Sequence, residues 1–273
     1  MFLLVLYPLI FVISSSFSSA DAVSSGKVIL WPVDFSTEGY ETVFENSQVG
    51  RGYLNSIFYT VFGTLISLSM TMMAAYALAR KDLPFRGPLM FLFTFTMLFD
   101  GGMIPNYMLM RDLHFLNTPW AILLPGAIAV YNMIITRTFI AHNIPNELRE
   151  SAEIDGCTDF QYFFRIVLPL SKAIIAVIAL YYAVFQWNSY FSAFLYLTDK
   201  DLFPLQIVLR DILLANTIEA SAIVEPELMA AKQGLADLLK YALIIVSSIP
   251  MMIVYPFIQK YFVKGVMIGS LKG

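Results

Sequence analysis

The apolar positions of this chain collect in long runs, separated by short charged stretches. A run of about twenty apolar residues lets a helix cross roughly 30 Å of hydrocarbon. By that length the sequence predicts six spans, at about 1–17, 54–79, 88–110, 120–140, 171–197 and 241–259. The first is short. The third is expected to break at "FDGGMIPNY", where Gly101, Gly102 and Pro105 disfavour continuous helix. Because lipid offers the backbone no hydrogen bonds, these runs predict an all-α, polytopic membrane helical bundle.

Composition agrees with this reading. Of 273 residues, 58% are hydrophobic and 14% charged, where soluble domains run near 25% charged. A net charge of −3 gives no reason to expect a nucleic-acid partner. Cys157 alone permits no internal disulfide, and His114 and His142 match no metal spacing. The start of the chain has a rival reading as a signal peptide, because Ala20-Asp21-Ala22 resembles a cleavage site. No Lys or Arg precedes its apolar run, so a first transmembrane helix is the preferred reading.

Loop charges orient the spans. Arg80, Lys81, Arg86, Arg149, Arg165, Lys172, Lys260, Lys264 and Lys272 crowd short segments that lie on one side. Lys27, Arg51, Arg111, Lys200, Arg210, Lys232 and Lys240 are spread over longer ones on the other. Both termini are therefore expected in the cytoplasm, with 198–240 outside. Within the spans only Asp100 and Arg137 are ionisable. Arg137 can snorkel to the cytoplasmic edge. Asp100 reads as an N-cap for the half-helix after the glycines, as a polar group lining a pathway, or as both.

The cytoplasmic loop 143–169 contains "IPNELRESAEIDGCTDFQYFFRIVLP". Pro145 suits a first helical turn, and Glu147 meets the positive end of the helix dipole there. Gly156 suits the left-handed position that ends a helix. A helix over 145–155 is predicted, about 16 Å long and too short to cross a bilayer. A second is expected from Asp159, as N-cap, toward Leu168, with Pro169 marking the entry into span five.

"ESAEIDGCTDFQYFFRIVLP" resembles the EAA loop of permease subunits in bacterial ABC importers. That pattern is E-A-A, three residues, G, nine residues, I, one residue, L-P. Glu150, Ser151 and Ala152 fill the triplet, with Ser in the middle place, and Gly156, Ile166, Leu168 and Pro169 fall at the required spacing. "GGMIPNYMLMRDLHFLNTPWAILLPGAI", "FPLQIVLRDIL" and "YFVKGVMIGSLKG" are similar to the carbohydrate-uptake branch, in particular the LplC/YtcP-like group with a permease of the alginate importer. The family usually has a further cytoplasmic lead-in before its first span.

The resemblance implies a type I ABC importer permease architecture. It also implies partners: a second, non-identical permease, two ATP-binding subunits, an extracytoplasmic solute-binding protein and a carbohydrate substrate. Glu150, Ser151, Ala152, Glu153, Asp155 and Gly156 would form a coupling helix docked on an ATP-binding subunit. In that role Ser151 and Ala152 would be its small contact surface. Ile166, Leu168 and Pro169 would anchor the loop to the transmembrane core. No G-x-x-x-x-G-K-[ST] occurs, so ATP and Mg belong on the partner subunits and this chain is expected to bind no cofactor. G-x-S-x-G and H-E-x-x-H are also absent.

A sugar needs aromatic faces and hydrogen-bond partners. "YYAVFQWNSYF" offers Tyr182, Gln186, Trp187 and Asn188 or Tyr190, some of them on one face at helical spacing; Tyr131, Asn132 and Asp100 are further candidates for a pathway. Polar packing between helices would account for the same residues. The outer segment 198–240 carries "LQIVLRDILL" and "PELMAAKQGLADLLK", both helical in period, which fit a rim for a binding protein or an amphipathic cover. A rival function is an ion-coupled secondary transporter. That class usually uses intramembrane carboxylate relays and internal repeats, and this sequence has one such carboxylate and no clear repeat.

Overall fold

A computed structural model describes residues 2–222 and 226–270. Met1, residues 223–225 within the outer segment, and Lys272 lie outside the described residues. Among the described residues every regular element is helical. The chain divides into two compact units, residues 1–56 with 197–253, and residues 57–196 with 254–273.

In the first unit, the helix Phe2–Ser16 is about 22 Å long at 1.5 Å per residue, short of a hydrocarbon core. The serines that follow are buried and fix the connection after them. Ser14 Oγ donates to the Leu30 carbonyl at 2.6 Å, and the Val33 amide donates to Ser18 Oγ at 3.0 Å. The Ala20–Ala22 stretch lies in a helix, Ala20–Ser24, capped by Ser19. The helix Leu205–Ala222 and the start of Pro226–Ser270 carry the helical periods expected of 198–240. The second of those periods is continuous with the sixth span and does not form a separate rim element. Its apolar stretch, Lys232–Ile253, begins nine residues before the expected 241. Gly52 lets the chain approach Leu205, whose Cα would lie 3.1 Å from an added Cβ. The Leu205 amide donates to Ser56 Oγ at 2.8 Å.

The second expected span lies in a helix of 33 residues, Ser47–Ala79, that starts seven residues earlier than 54. Three later spans are broken, the third at the glycines where a break was expected, the fourth and fifth where continuous helix was expected. The third is Arg86–Leu98 and Met103–Asp112, meeting at 113°. The fourth is Trp120–Leu123 and Val130–Asn143, separated by Pro125 and by Gly126 at φ +72°. Pro125 brings no N–H and Gly126 takes a left-handed conformation, so 120–140 cannot run as one helix. The fifth ends as helix at Trp187 and resumes as Phe191–Tyr196. Among the described residues two helices are long and apolar enough to cross a membrane, Ser47–Ala79 and Lys232–Ile253, or up to four when each bent pair counts as one span.

Within the second unit Gly63 faces Gln186. A Cβ at Gly63 would lie 2.6 Å from Gln186 Nε2 and 2.7 Å from its Cδ. Gln186 is 4% exposed and has little room to yield. Gly63→Ala is therefore expected to destabilise the protein by about 1–3 kcal/mol, the usual range for overpacking. Thermal unfolding in detergent tests this, and Gly63→Ala with Gln186→Ala should recover part of the loss. Equal loss in the single and double variants would remove Gln186 as the cause.

Candidate functional site

The helix Asn146–Ile154 begins one residue later than expected, because Pro145 holds the N-cap with extended backbone and lies outside the first turn. Its end is a Schellman motif. The Gly156 amide donates to the Glu153 carbonyl at 3.0 Å and the Cys157 amide to the Ala152 carbonyl at 2.8 Å. Gly156 sits at φ +76°, a conformation that a side chain would strain.

The next helix, Asp159–Tyr162, is capped by Thr158 where the sequence suggested Asp159. Thr158 Oγ1 accepts from the Gln161 amide, and Gln161 Oε1 accepts from the Thr158 amide at 3.1 Å. This reciprocal box satisfies two amides that Asp159 as a first-turn residue could not. The chain then widens into a π turn over Phe163–Val167, with the Leu168 amide donating to the Phe163 carbonyl. Pro169 explains this widening, since in a regular α-helix its ring would collide with the Arg165 carbonyl. The element then bends by 83° into Lys172–Trp187.

One face of Asn146–Ile154 belongs to the protein's own core. Ala152 is 7% exposed and packs in a cluster with Met72, Ala75, Met133, Ile140, Tyr162 and Val167. The expectation that Ala152 forms an outward contact surface is thus corrected. With Arg149 on the same inner face, Ala is the size that allows close packing there. Ile166 and Leu168 pack against this cluster, whereas Pro169 is exposed. Burial raises the Tyr162 phenol above its ordinary pKa. The opposite face holds Glu147, Glu150, Ser151 and Ile154, at i, i+3, i+4 and i+7. All four are exposed, and Ile154 is 87% exposed. Glu153 and Asp155 are exposed beside that face.

An ionic lattice that the motif did not reveal fastens this helix. Arg149 Nη1 meets Asp82 at 2.7 Å and Arg149 Nε meets Glu153 at 2.9 Å. Arg80 meets Asp82 and Asp159, each at 2.6 Å. The segment after Ser47–Ala79, the helix Asn146–Ile154 and the helix Asp159–Tyr162 are joined through these five side chains. Arg80 and Arg149 hold the Asp82 carboxyl well below the usual carboxylate range, and Asp82 and Asp159 hold the Arg80 guanidinium above its usual value. The partners lie 67 residues apart for Asp82 and Arg149, so only the excess of both charge signs in these loops hinted at them.

The residues expected in a pathway are dispersed. Tyr182 is buried, its Oη 2.6 Å from Thr71 Oγ1 and accepting from the Ala129 amide at 3.0 Å. Gln186, Trp187 and Asn132 are buried, while Tyr131, next to Asn132, is exposed. Asn188 and Tyr190 do not continue the face of Tyr182 and Gln186, because the helix stops at Trp187. Asn188 instead donates to the Val184 carbonyl at 2.8 Å, and Tyr190 stacks on Phe194. Asp100 is exposed; its Oδ1 accepts from the Gly102 amide at 2.5 Å, while Gly102 holds the N-cap position itself.

The depressed Asp82 pKa sets a pH window. Its contribution is fully present above the unfolded carboxylate value of ~3.9 and is lost as pH falls through the lower folded value. The lattice should therefore be unchanged between about pH 5 and 8. At pH 7, Asp82→Asn should speed amide exchange across Asn146–Ile154 and lower global stability by no more than about 1 kcal/mol, given the partial exposure of these pairs. Unchanged exchange in that helix would show that the lattice does not hold it.

Comparison with known proteins matches residues 83–268 to the family "Binding-protein-dependent transport system inner membrane component". The chain is 44% identical over 271 residues to the polygalacturonan/rhamnogalacturonan transport system permease protein YtcP of Bacillus subtilis (strain 168), covering 99% of this chain and 94% of that one. It is 40% identical to protein LplC of the same organism, covering 97% and 89%. Among solved structures it superposes on a chain of a bacterial ABC transporter involved in the import of the acidic polysaccharide alginate. That match has a TM-score of 0.83 and 36% identity, and covers 95% of this chain and 91% of that one. With the helical fold, the apolar spans and the loop motif, these matches place the chain in the family of binding-protein-dependent transport system inner membrane components.

Proposed function

We propose that this chain is one permease subunit of an ATP-driven importer in the bacterial cytoplasmic membrane, with both termini in the cytoplasm. It pairs with a second, non-identical permease, two ATP-binding subunits that carry ATP and Mg, and an extracytoplasmic solute-binding protein. The observation that carries this reading is the division of Asn146–Ile154 into two faces. Its inner face is fastened by Ala152 and Arg149, and its outer face presents Glu147, Glu150, Ser151 and a bare Ile154. A helix held so firmly on one side and left uncovered on the other is suited to passing a partner's movement into the transmembrane helices. Gly156 aims it, and Ile166 and Leu168 tie the following segment to the core.

The cargo in this reading is a carbohydrate. YtcP is named for polygalacturonan and rhamnogalacturonan, and the similar solved transporter imports acidic alginate. An acidic oligo- or polysaccharide is therefore the substrate class we assign. Asp100, Tyr131, Asn132, Tyr182, Gln186, Trp187, Asn188 and Tyr190 remain the pathway candidates. Of these, Gln186 has the clearest unspent capacity, since its Oε1 is buried with no hydrogen-bond partner among the described residues.

Uptake of a labelled acidic oligosaccharide by the reconstituted complex tests the coupling role. Burying an isoleucine contributes about 1.5–3 kcal/mol, so Ile154→Asp should weaken docking roughly 10-fold or more. ATP-driven uptake should fall accordingly while the chain still inserts in the membrane. Gly156→Asp should do likewise by straining the turn. Uptake that persists without ATP, or that ignores both substitutions, would sink the reading. Measuring the ligand of the partner binding protein tests the cargo class directly.

A further inference from the structure

A cavity of about 280 Å³ opens where the membrane helices end beside the helix Asn146–Ile154. Tyr76 lines it from Ser47–Ala79, Arg80, Lys81 and Arg86 from the segment that follows, and Arg149 from the cytoplasmic helix. Every charged residue in its wall is a cation. It lies near the lower end, roughly 300 Å³, of sizes usual for ligand pockets. It suits a small anionic group better than a nucleotide or an oligosaccharide.

The cations are not equivalent. Arg80 and Arg149 are held by Asp82, Asp159 and Glu153. Lys81 and Arg86 have no ion pair among the described residues, and the Arg86 charge also acts on nearby Arg137. Uncompensated cations gathered at a cavity repel one another, and an anion between them removes that repulsion. A donor is also available: Tyr76 Oη is buried with no hydrogen-bond partner among the described residues. Tyr76 lines a second groove as well, of about 190 Å³, with Met73, Phe160, Phe163, Phe164 and Asp159, whose carboxylate is neutralised by Arg80. Met73 lies one turn before Tyr76, further from the cytoplasmic end of the helix. A polar cationic cavity and a largely apolar aromatic groove thus share one wall at Tyr76.

We propose that this pair of hollows binds an anionic phospholipid of the cytoplasmic leaflet. Its phosphate lies against Lys81 and Arg86 and accepts from Tyr76 Oη, and an acyl chain runs along Met73 and the phenyl rings. A lipid so placed ties residues 80–86 to the helix Asn146–Ile154, because Arg80 and Arg149 border the same cavity. This rests on the proposed orientation, which puts that end of the helices in the cytoplasm.

Native mass spectrometry of the assembled transporter, titrated with phosphatidylglycerol, tests it. One saturable phosphatidylglycerol site is expected, with phosphatidylcholine retained far less. K81Q/R86Q should weaken that site by roughly 10-fold or more, on the order of what two cations contribute beside an anionic headgroup. The charge-conserving K81R/R86K should retain it, which separates lost charge from lost folding. Equal affinity in K81Q/R86Q, or equal retention of phosphatidylcholine, overturns the proposal. Displacement of the lipid by millimolar inorganic phosphate would assign the cavity to a soluble anion and also overturn it. The measurement needs no ATP. Uptake that ignores I154D while the lipid still binds therefore counts against the coupling role alone, and ATP-driven uptake that remains intact without lipid binding counts against this site alone.

Discussion

In hydrocarbon a backbone amide without a partner costs several kcal/mol, so each break in an apolar helix has to supply a substitute partner. The breaks of this chain do so with specific side chains and carbonyls. Asp100 takes the Gly102 amide where Arg86–Leu98 gives way to Met103–Asp112. Tyr182 takes the Ala129 amide at the start of Val130–Asn143 and meets the Thr71 hydroxyl as well. The Tyr196 carbonyl takes the Asn117 amide before Trp120–Leu123. Residues that composition alone would assign to a polar pathway thus also hold irregular backbone in place.

The charged helix Asn146–Ile154 follows from the opposite condition. Outside lipid, charge costs little, so Asn146–Ile154 can carry Glu147, Arg149, Glu150 and Glu153 within nine residues. Such a helix is marginal by itself. It is stabilised by its Schellman end, by Ala152 within the core and by the ion pair of Arg149 with Asp82, which Arg80 in turn links to Asp159. These attachments lie on one side, which leaves a face with an exposed isoleucine and two carboxylates.

Local signals were legible because their causes are local. Gly156 ends its helix in the left-handed region, as its position after three turns suggested. The apolar runs became helices, and the loop motif kept its register from Glu150 to Leu168. Pro125, Gly126 and Pro169 were equally visible, but their consequences, a broken fourth span and a π turn, depend on which neighbouring carbonyls and side chains compensate. Thr158 displaced Asp159 as cap because Gln161 answers it, a reciprocity that a single-residue preference does not register.

By itself, the sequence determined an all-α membrane chain, the place and the glycine end of the charged loop helix, and the motif that pointed to the family. Those properties depend on hydrophobic length and on residues within one or two helical turns. Only the tertiary structure decided that Ala152 turns inward while Ile154 turns outward, and that Asp82 joins Arg80 to Arg149 across 67 residues. It also decided that Lys81 and Arg86 border a cavity shared with Tyr76. Contacts between distant segments follow from packing, because burial and ion pairing depend on separation in space and leave no period along the chain.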